Sequence, residues 1–331
     1  MSPPLLEAGA QVSPTDQDPA DSPLHIEVSG LRKEYGDFAA VDDLDLQVRQ
    51  GEVFALLGPN GAGKTTTLEI LVGVRQRTAG EVSVLGQDPG ADKRDWRNRI
   101  GVVPQNTAEY LDLTVREVID HFGSFYSDPI PTEELIDMVG LGSKARSRTV
   151  SLSGGQKRRL DVAVGVVGRP DMVFLDEPTT GLDPEARREA WQLVTYFREL
   201  GATTVLTTHY LDEAETLADR AGIIARGKML TVGTIAELGH SAGGGSLISF
   251  EEIGDVREAV PPELARLEEP VSGMRPTTTL ATERPTETVA LLIAWARDNG
   301  HQELSGLSVH RPTLEDTYLR LIQKAQDEVN S

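Results

Sequence analysis

The chain has 331 residues, which suggests two domains or one large α/β domain with an appendage. Its formal net charge of −20 argues against nucleic acid as a partner, because an acidic surface repels phosphate backbones. The absence of cysteine excludes disulfides, thiolate metal sites and cysteine nucleophiles. No apolar run approaches the ~18 residues that cross a bilayer, and residues 1–7 lack the features of a signal peptide. The sequence therefore predicts a cytoplasmic protein.

The N-terminal residues 1–23 are predicted to form a disordered tail. They contain five prolines and four acidic residues but no basic residue, a composition that cannot build a packed core. Two short strands with alternating apolar residues follow at 25–28 and 44–48. We expect these strands to pair antiparallel ahead of the next strand.

Residues 58–65 read Gly-Pro-Asn-Gly-Ala-Gly-Lys-Thr and fit the phosphate-binding pattern G-x-x-x-x-G-K-[ST] at every fixed position. An apolar strand at 53–57 precedes the loop, and a helix is predicted over 66–72. Glycines let backbone N–H groups approach phosphates closely, and the helix adds its positive N-terminal end. Lys64 would reach the β- and γ-phosphates, and the Thr65 hydroxyl would bind Mg²⁺. The predicted nucleotide contacts in this loop are Gly58, Pro59, Asn60, Gly61, Ala62, Gly63, Lys64, Thr65 and Thr66.

Short apolar strands alternate with helical stretches from residue 51 to residue 235. Strands are predicted at 100–103, 172–175 and 203–207, and helices at 187–200 and 211–218. Near-continuous apolar strands are typical of a parallel sheet that is covered on both faces. Residues from about 107 to 165 carry helical patterns instead, and they are predicted to be a helical insertion.

Two carboxylates follow the strand predicted at 172–175. A parallel strand brings the residues that follow it to the same sheet edge as the loop after residue 57. At this edge Asp176 would hold Mg²⁺, and Glu177 could activate the attacking water as a general base. Without the phosphate loop, the same pattern would equally describe a strand that ends in a solvated acidic turn.

The run Leu-Ser-Gly-Gly-Gln at 152–156 is a second candidate anion site. Alone, this run would be an ordinary turn. It precedes a predicted helix, however, so it could form a second anion-binding helix start.

The residues from 240 onward form a separate predicted region. Residues 240–246 have the Gly- and Ser-rich composition of a flexible linker. Beyond them, strands are predicted at 247–250 and 304–309, and helices at 287–298 and 316–328. We therefore expect 247–331 to be a small α+β domain that the last helix closes.

Three of these motifs together resemble the ATP-binding subunits of ABC transporters. Residues 58–65 are similar to the Walker A motif of that family, and residues 152–156 match its LSGGQ signature without a departure. Residues 172–177 resemble its Walker B motif, including the catalytic glutamate.

Four further residues extend the resemblance. Gln105 matches the Q-loop, Asp183 in Gly-Leu-Asp-Pro matches the D-loop, and His209 matches the switch histidine. Tyr35 lies where the family places an aromatic residue that stacks on adenine. All seven elements follow in the family's order over residues 24–235.

The resemblance implies a P-loop NTPase of the α/β class at residues 24–239, with an antiparallel β subdomain and the helical insertion. It implies that the protein binds ATP and Mg²⁺ and hydrolyses ATP. Glu177, His209 and Gln105 would serve hydrolysis, and Thr65, Gln105 and Asp176 would hold the metal.

The family also implies that two copies of the chain form a head-to-tail dimer with two ATP molecules between them. The phosphates on Lys64 and Thr65 of one copy would be capped by the signature loop of the other. The predicted capping residues are Ser153, Gly154, Gly155, Gln156 and Asp183.

A separate transmembrane permease is implied as a further partner, which would hold the protein at the inner face of the cell membrane. By resemblance, the permease would dock near residues 106–126. Six apolar or aromatic residues there suit such a contact: Tyr110, Leu111, Leu113, Phe122, Phe125 and Tyr126.

Residues 311–319 resemble the C-terminal motif of ATPases that serve ABC-2 type exporters, including those that expel drugs and antibiotics. The predicted function is therefore efflux of a drug, antibiotic or lipid-like substrate through the permease. Two alternatives stay open at this point. One is an ABC importer ATPase. The other is a nucleotide-switched clamp on ribosomes or DNA, which the single cassette and the acidic charge disfavour.

Overall fold

The computed structural model describes residues 22–91, 93–105, 110, 112–240, 245–251, 256, 259–262, 264–268, 277–310 and 313–330. Several predictions from the sequence lie outside these residues. They concern most of the N-terminal tail, residues 241–244 of the linker, residues 106–109 and 111 of the docking segment, and residues 311–312 of the C-terminal motif.

A three-stranded antiparallel sheet, in the order β2-β1-β4, precedes and flanks the phosphate loop. Its strands are β1 (Leu24–Tyr35), β2 (Phe38–Arg49) and β4 (Ala79–Val84). The predicted antiparallel pairing of the first two strands is confirmed, and both are longer than predicted. The third strand was not predicted.

The main sheet has six strands in the order β5-β6-β7-β3-β8-β9. The strands β3 (Val53–Leu57), β5 (Ile100–Val103), β6 (Met172–Asp176), β7 (Thr203–Thr208) and β8 (Arg220–Ala225) are parallel. The last strand, β9 (Lys228–Thr234), pairs antiparallel with β8. Every residue of β3, β6 and β7 is buried, as expected for strands that are covered on both faces.

The side chains of β3 alternate between two hydrophobic clusters. Val53, Ala55 and Leu57 pack on a helical layer, and Phe54 and Leu56 pack on the antiparallel sheet and on the helix that follows the loop. The helices that accompany these two sheets are α1 (Lys64–Leu71), α2 (Arg94–Arg97), α6 (Pro184–Glu199), α7 (Leu211–Leu217) and α8 (Ile235–His240).

The helical insertion contains α3 (Val115–Gly123) and α4 (Thr132–Met138) and leads into α5 (Gly154–Val166). Thr114 and Glu117 form a capping box at the start of α3. Their reciprocal hydrogen bonds satisfy backbone N–H groups that would otherwise have no partner in the first turn, so the sequence fixes where this helix begins.

The C-terminal region forms a four-stranded sheet in the order β11-β12-β10-β13, with one helix packed on it. Its strands are β10 (Ser246–Glu251), β11 (Arg266–Glu268), β12 (Thr277–Thr282) and β13 (Ser308–His310), and its helix is α9 (Pro285–Asp298). The strand predicted at 304–309 is therefore shorter and begins later in the chain.

The last helix, α10 (Leu314–Asn330), lies elsewhere than predicted. Leu314 belongs to the same hydrophobic cluster as Val53, Ala55 and Leu57 of β3, and Tyr318 packs against this cluster. The Thr317 hydroxyl donates to the Leu238 carbonyl oxygen at 2.6 Å and ties α10 to α8. This helix therefore packs on the region of the six-stranded sheet instead of closing the small sheet. In the part of the chain that the structure describes, no helix is both long enough and apolar enough to cross a bilayer.

Candidate nucleotide site

The predicted phosphate loop connects β3 to α1, with Asn60 and Gly61 exposed at its tip. Gly63 has a φ of 106°, and a Cβ on it would lie 2.5 Å from the Ala40 carbonyl oxygen. A Cβ on Gly58 would lie 2.3 Å from a backbone oxygen of β8. By contrast, no atom lies within 4 Å of the position that a Cβ on Gly61 would take. The loop is therefore packed on its inner side and open on its outer side, as a phosphate cradle requires.

Lys64 begins α1 and is almost fully buried. Its ammonium group donates to the carbonyl oxygens of Gly58, at 2.8 Å, and of Pro59, at 3.2 Å. The same nitrogen lies 3.3 Å from Oε1 of Glu177. The two loop carbonyls and the Glu177 carboxylate together hold the ammonium group, and phosphate oxygens could replace these partners.

Asp176, at the end of β6, faces the first residues of α1. Its Oδ1 accepts hydrogen bonds from the hydroxyls of Thr207, at 2.5 Å, and Thr65, at 3.3 Å. Burial raises the pKa of Asp176, and the hydrogen bonds from the two threonines oppose that rise. Carboxylate and hydroxyl oxygens are the ligands that Mg²⁺ prefers, so this pair fits the predicted metal.

Glu177 lies next to Asp176, at the centre of a polar cluster. Its Oε2 accepts from Gln105 Nε2 at 2.9 Å and from the Thr180 hydroxyl at 3.1 Å. Nδ1 of His209 lies 3.5 Å from Oε1 but makes no hydrogen bond within the described chain. Burial opposes ionisation of Glu177, but Lys64, Thr180 and His209 outweigh it and lower its pKa. An ionised carboxylate can accept a proton, as a general base must.

The signature loop forms a second polar group. Ser153 is the N-cap of α5, and it exchanges reciprocal hydrogen bonds with Gln156. Asp183 caps α6 by accepting from the backbone N–H groups of residues 185 and 186. Together with Gly154 and Gly155, these residues line a surface cavity of about 260 Å³.

The two polar groups are separate within one chain. Among the described residues, no hydrogen bond or ion pair joins Ser153 or Asp183 to the cluster of Lys64 and Glu177. Within one chain, the fold therefore leaves the signature loop apart from the residues around Lys64 and Glu177.

Tyr35 ends β1 and is 43% exposed. The cationic groups of Lys33 and Arg75 lie 5.0 and 5.4 Å from its ring centroid. The ring is accessible to a ligand, as the predicted contact with adenine requires.

Within the docking segment, Phe125 and Leu113 are exposed, whereas Tyr110 and Phe122 are partly buried and pack edge to face. The described part of the segment thus divides between residues that pack the insertion and residues that face solvent.

Sequence reasoning missed three residues that support the site. Thr207 and Thr180 donate to the two carboxylates, and Arg158 donates to backbone carbonyls beside them. Thr207 could have been found, because a polar residue near the end of a buried parallel strand has to hydrogen-bond locally.

Comparison with known proteins agrees with these features. Residues 41–180 match the protein family described as ABC transporter. The Nod factor export ATP-binding protein I of Ralstonia nicotianae is 38% identical over 302 residues, which cover 89% of this chain and 93% of that protein. The daunorubicin/doxorubicin resistance ATP-binding protein DrrA of Streptomyces peucetius is 37% identical over 327 residues, which cover 92% of this chain and 94% of that protein.

A solved structure shares the fold. It is a dimeric post-hydrolysis state of an ATP-binding cassette bound to ADP and Pi, with 25% identity and a TM-score of 0.57. The match covers 63% of this chain and 98% of that one. With relatives this similar along nearly their whole length, the chain belongs to the ATP-binding subunits of ABC transporters, which are ATPases.

Proposed function

We propose that the protein hydrolyses ATP as one half of a head-to-tail dimer and thereby drives an ABC-2 type exporter whose permease is a separate chain. One observation carries the proposal of hydrolysis. The cradle lysine, Lys64, lies at one sheet edge with the ionised carboxylate of Glu177, and Gln105 and His209 surround that carboxylate.

In this proposal each residue has a defined task. Lys64 binds the β- and γ-phosphates in place of its present oxygen partners. The carboxylate of Glu177 takes a proton from water as the water oxygen bonds to the γ-phosphorus and the bond to the ADP oxygen breaks. Thr65, Asp176 and Gln105 would hold Mg²⁺, which when bound neutralises the charge on the phosphates.

The separation of the two polar groups supports a dimer. In one chain, the signature loop has no described bond to the cradle, yet both are suited to phosphate. In a head-to-tail pair, Ser153 and Gly155 of one copy would cap the ATP held by Lys64 of the other. The related cassette with ADP and Pi is itself dimeric.

The names of the two relatives support export. One is a Nod factor export protein and the other a drug resistance protein, and both align along nearly the whole chain. We infer that this protein serves efflux of a drug, antibiotic or lipid-like substrate and binds the permease near residues 106–126. The exposed Phe125 and Leu113 suit that contact. The protein would then be cytoplasmic and peripheral to the membrane.

Glu177→Gln tests the assignment of the base. Steady-state hydrolysis should fall by about 10²- to 10⁴-fold, because the proton acceptor is lost. Equilibrium binding of ATP should persist, and light scattering should show a dimer that accumulates with ATP. Glu215→Gln is the matched control, since Glu215 is an exposed residue of α7 and the change removes the same charge. Normal hydrolysis by Glu177→Gln would refute the assignment.

Export is tested by purifying the protein from detergent-solubilised membranes and identifying what accompanies it. A permease is expected, and Phe125→Glu should reduce its recovery without changing hydrolysis by the isolated protein. Co-sedimentation with ribosomes and no permease would support the clamp alternative and overturn export. Substrate accumulation that rises when the permease is active would indicate an importer.

A further inference from the structure

Arg158 lies in the second turn of α5 and is 5% exposed. Its guanidinium group donates to three backbone carbonyl oxygens. Nε donates to Pro178 at 2.8 Å, Nη2 donates to Asp176 at 3.0 Å, and Nη1 donates to Pro104. A buried cation that binds several carbonyls is sensitive to where each of them lies, because its donors form a rigid planar fork.

The three carbonyls flank the two residues that bind one another in the candidate site. Pro104 immediately precedes Gln105, and Asp176 and Pro178 lie on either side of Glu177. Gln105 in turn donates to Glu177. One side chain of α5 therefore contacts the backbone beside both partners in that hydrogen bond.

A second contact joins α5 to the chain beyond Gln105. The Tyr110 hydroxyl donates to Oδ1 of Asp161 at 2.7 Å. Asp161 lies three residues after Arg158, so both side chains project from one face of the helix. The segment that carries Gln105 is thus held by α5 at residue 104 and again at residue 110.

The same helix begins at the signature loop, where Ser153 is its N-cap. From Ser153 to Arg158 is little more than one helical turn, so a displacement at the start of α5 moves the guanidinium group with it. The carbonyls beside Gln105 and Glu177 must follow, or their hydrogen bonds must break.

We propose that Arg158 is a positioning residue that couples the signature loop to Gln105 and Glu177 of its own chain. The proposal rests on the dimer proposed above. Ser153 would cap the ATP bound by the second copy, whereas Glu177 acts on the ATP bound by its own chain. Arg158 would thus transmit a displacement of the signature loop, caused at one ATP, to the general base at the other ATP.

The test compares Arg158→Gln and Arg158→Lys in the full chain, with kcat and the equilibrium affinity for ATP measured separately. Arg158→Gln should lower kcat by about 100-fold, the size expected for misplaced reacting groups, with ATP affinity changed less than about threefold. Arg158→Lys should lie between wild type and Arg158→Gln, because an ammonium group can still reach some of the carbonyls. Equal losses of affinity and kcat would indicate general damage and overturn the proposal.

Tyr110→Phe provides a second test if Arg158→Gln does not fold, because it removes only the hydrogen bond between Tyr110 and Asp161 of α5. It should lower kcat several-fold with unchanged ATP affinity. Tyr196→Phe is its control, since Tyr196 packs on the same hydrophobic core from α6. If Arg158→Lys and Tyr110→Phe both hydrolyse ATP like wild type, the proposal is wrong.

A double variant separates positioning from structure. If Arg158 acts through Glu177, adding Arg158→Gln to Glu177→Gln should not lower the residual hydrolysis further. A further 100-fold loss would contradict the proposal.

If Glu177→Gln alone fails to dimerise with ATP, the dimer itself is overturned. If it dimerises and Arg158→Gln keeps the wild-type kcat, only the role of Arg158 is overturned.

Discussion

The ion pair between Lys64 and Glu177 should be measurable in the nucleotide-free protein as a coupling free energy. The two side chains are 4% and 7% exposed, and the charged atoms are 3.3 Å apart. Lys64→Met leaves an ionised carboxylate, and breaking a buried pair costs about 3–5 kcal/mol when nothing else supports the charge. Gln105 and Thr180 still donate to Glu177. We therefore expect a loss of about 2 kcal/mol in the free energy of unfolding.

The other single variant, Glu177→Gln, should cost less. Lys64 keeps its hydrogen bonds to the carbonyls of Gly58 and Pro59, so the expected loss is about 1 kcal/mol. The double variant leaves no unpaired charge, so it should lose about 1.5 kcal/mol in the free energy of unfolding. The two single losses together exceed this by a coupling free energy of about 1.5 kcal/mol. Thermal unfolding followed by circular dichroism gives the values, since 2 kcal/mol corresponds to about 4–8 °C in a domain of this size.

The exposed pair of Arg284 and Glu287 is the matched control. Its charged atoms are 3.4 Å apart, nearly the same distance, but its side chains are 71% and 56% exposed. Arg284→Met and Glu287→Gln should couple by less than about 0.5 kcal/mol, because water screens the pair. If the Lys64 and Glu177 variants are also additive within that value, the two side chains are not coupled as a buried ion pair.

Three further outcomes are expected. Gly63→Ala should abolish ATP binding in calorimetry, because its Cβ would lie 2.5 Å from the Ala40 carbonyl oxygen. Gly36→Ala is the control, since no atom lies within 4 Å of the position its Cβ would take. This control should only lose about 1 kcal/mol of stability, because alanine is strained at the left-handed φ of residue 36. The pKa of Glu177 is lowered from 4.5, so its ionised form stabilises the fold above that pH and the contribution is lost as pH falls through the folded-state pKa. The difference in melting temperature between wild type and Glu177→Gln should therefore shrink below about pH 4.5. Tyr35→Ala should weaken ATP binding about tenfold in equilibrium titration, and Tyr35→Phe should retain it.

Strands that are buried on both faces could be predicted, because such burial requires an uninterrupted run of apolar residues that is visible in the sequence itself. Residues 53–57 and 172–175 are of this kind. The strand Ala79–Val84 was missed because it contains a glycine, and its alternation is only visible once β1 lies beside it. The strand predicted at 304–309 includes Leu304, but the hydrophobic core of the small sheet buries Leu304 in a segment that is not a strand.

The position of α10 could not be predicted from its place in the chain after the linker. Residues after a Gly-rich linker were expected to form one unit, yet Leu314 and Tyr318 pack on the ATPase core. Amphipathic periodicity predicts that a helix needs a partner, but it does not say which surface provides it. Only the hydrogen bond from Thr317 to the Leu238 carbonyl oxygen and the packing around it identify α8 as that surface.

The backbone at Glu177 explains how two adjacent carboxylates reach one site. Successive side chains of a strand point to opposite faces, so Asp176 and Glu177 would diverge if β6 continued. The chain instead leaves the strand at Glu177 with a φ of 44°, in the left-handed region. That conformation costs about 1–2 kcal/mol for a residue other than glycine.

Two hydrogen bonds hold this conformation, because the Glu177 N–H donates to the carbonyl oxygen of Thr207 at 3.1 Å and to its hydroxyl oxygen at 3.0 Å. Glycine would relieve the backbone strain but would bring no carboxylate. The strained backbone position is thus occupied by the residue whose carboxylate the proposed hydrolysis requires. Arg158 holds the backbone carbonyls on both sides of Glu177 by hydrogen bonds.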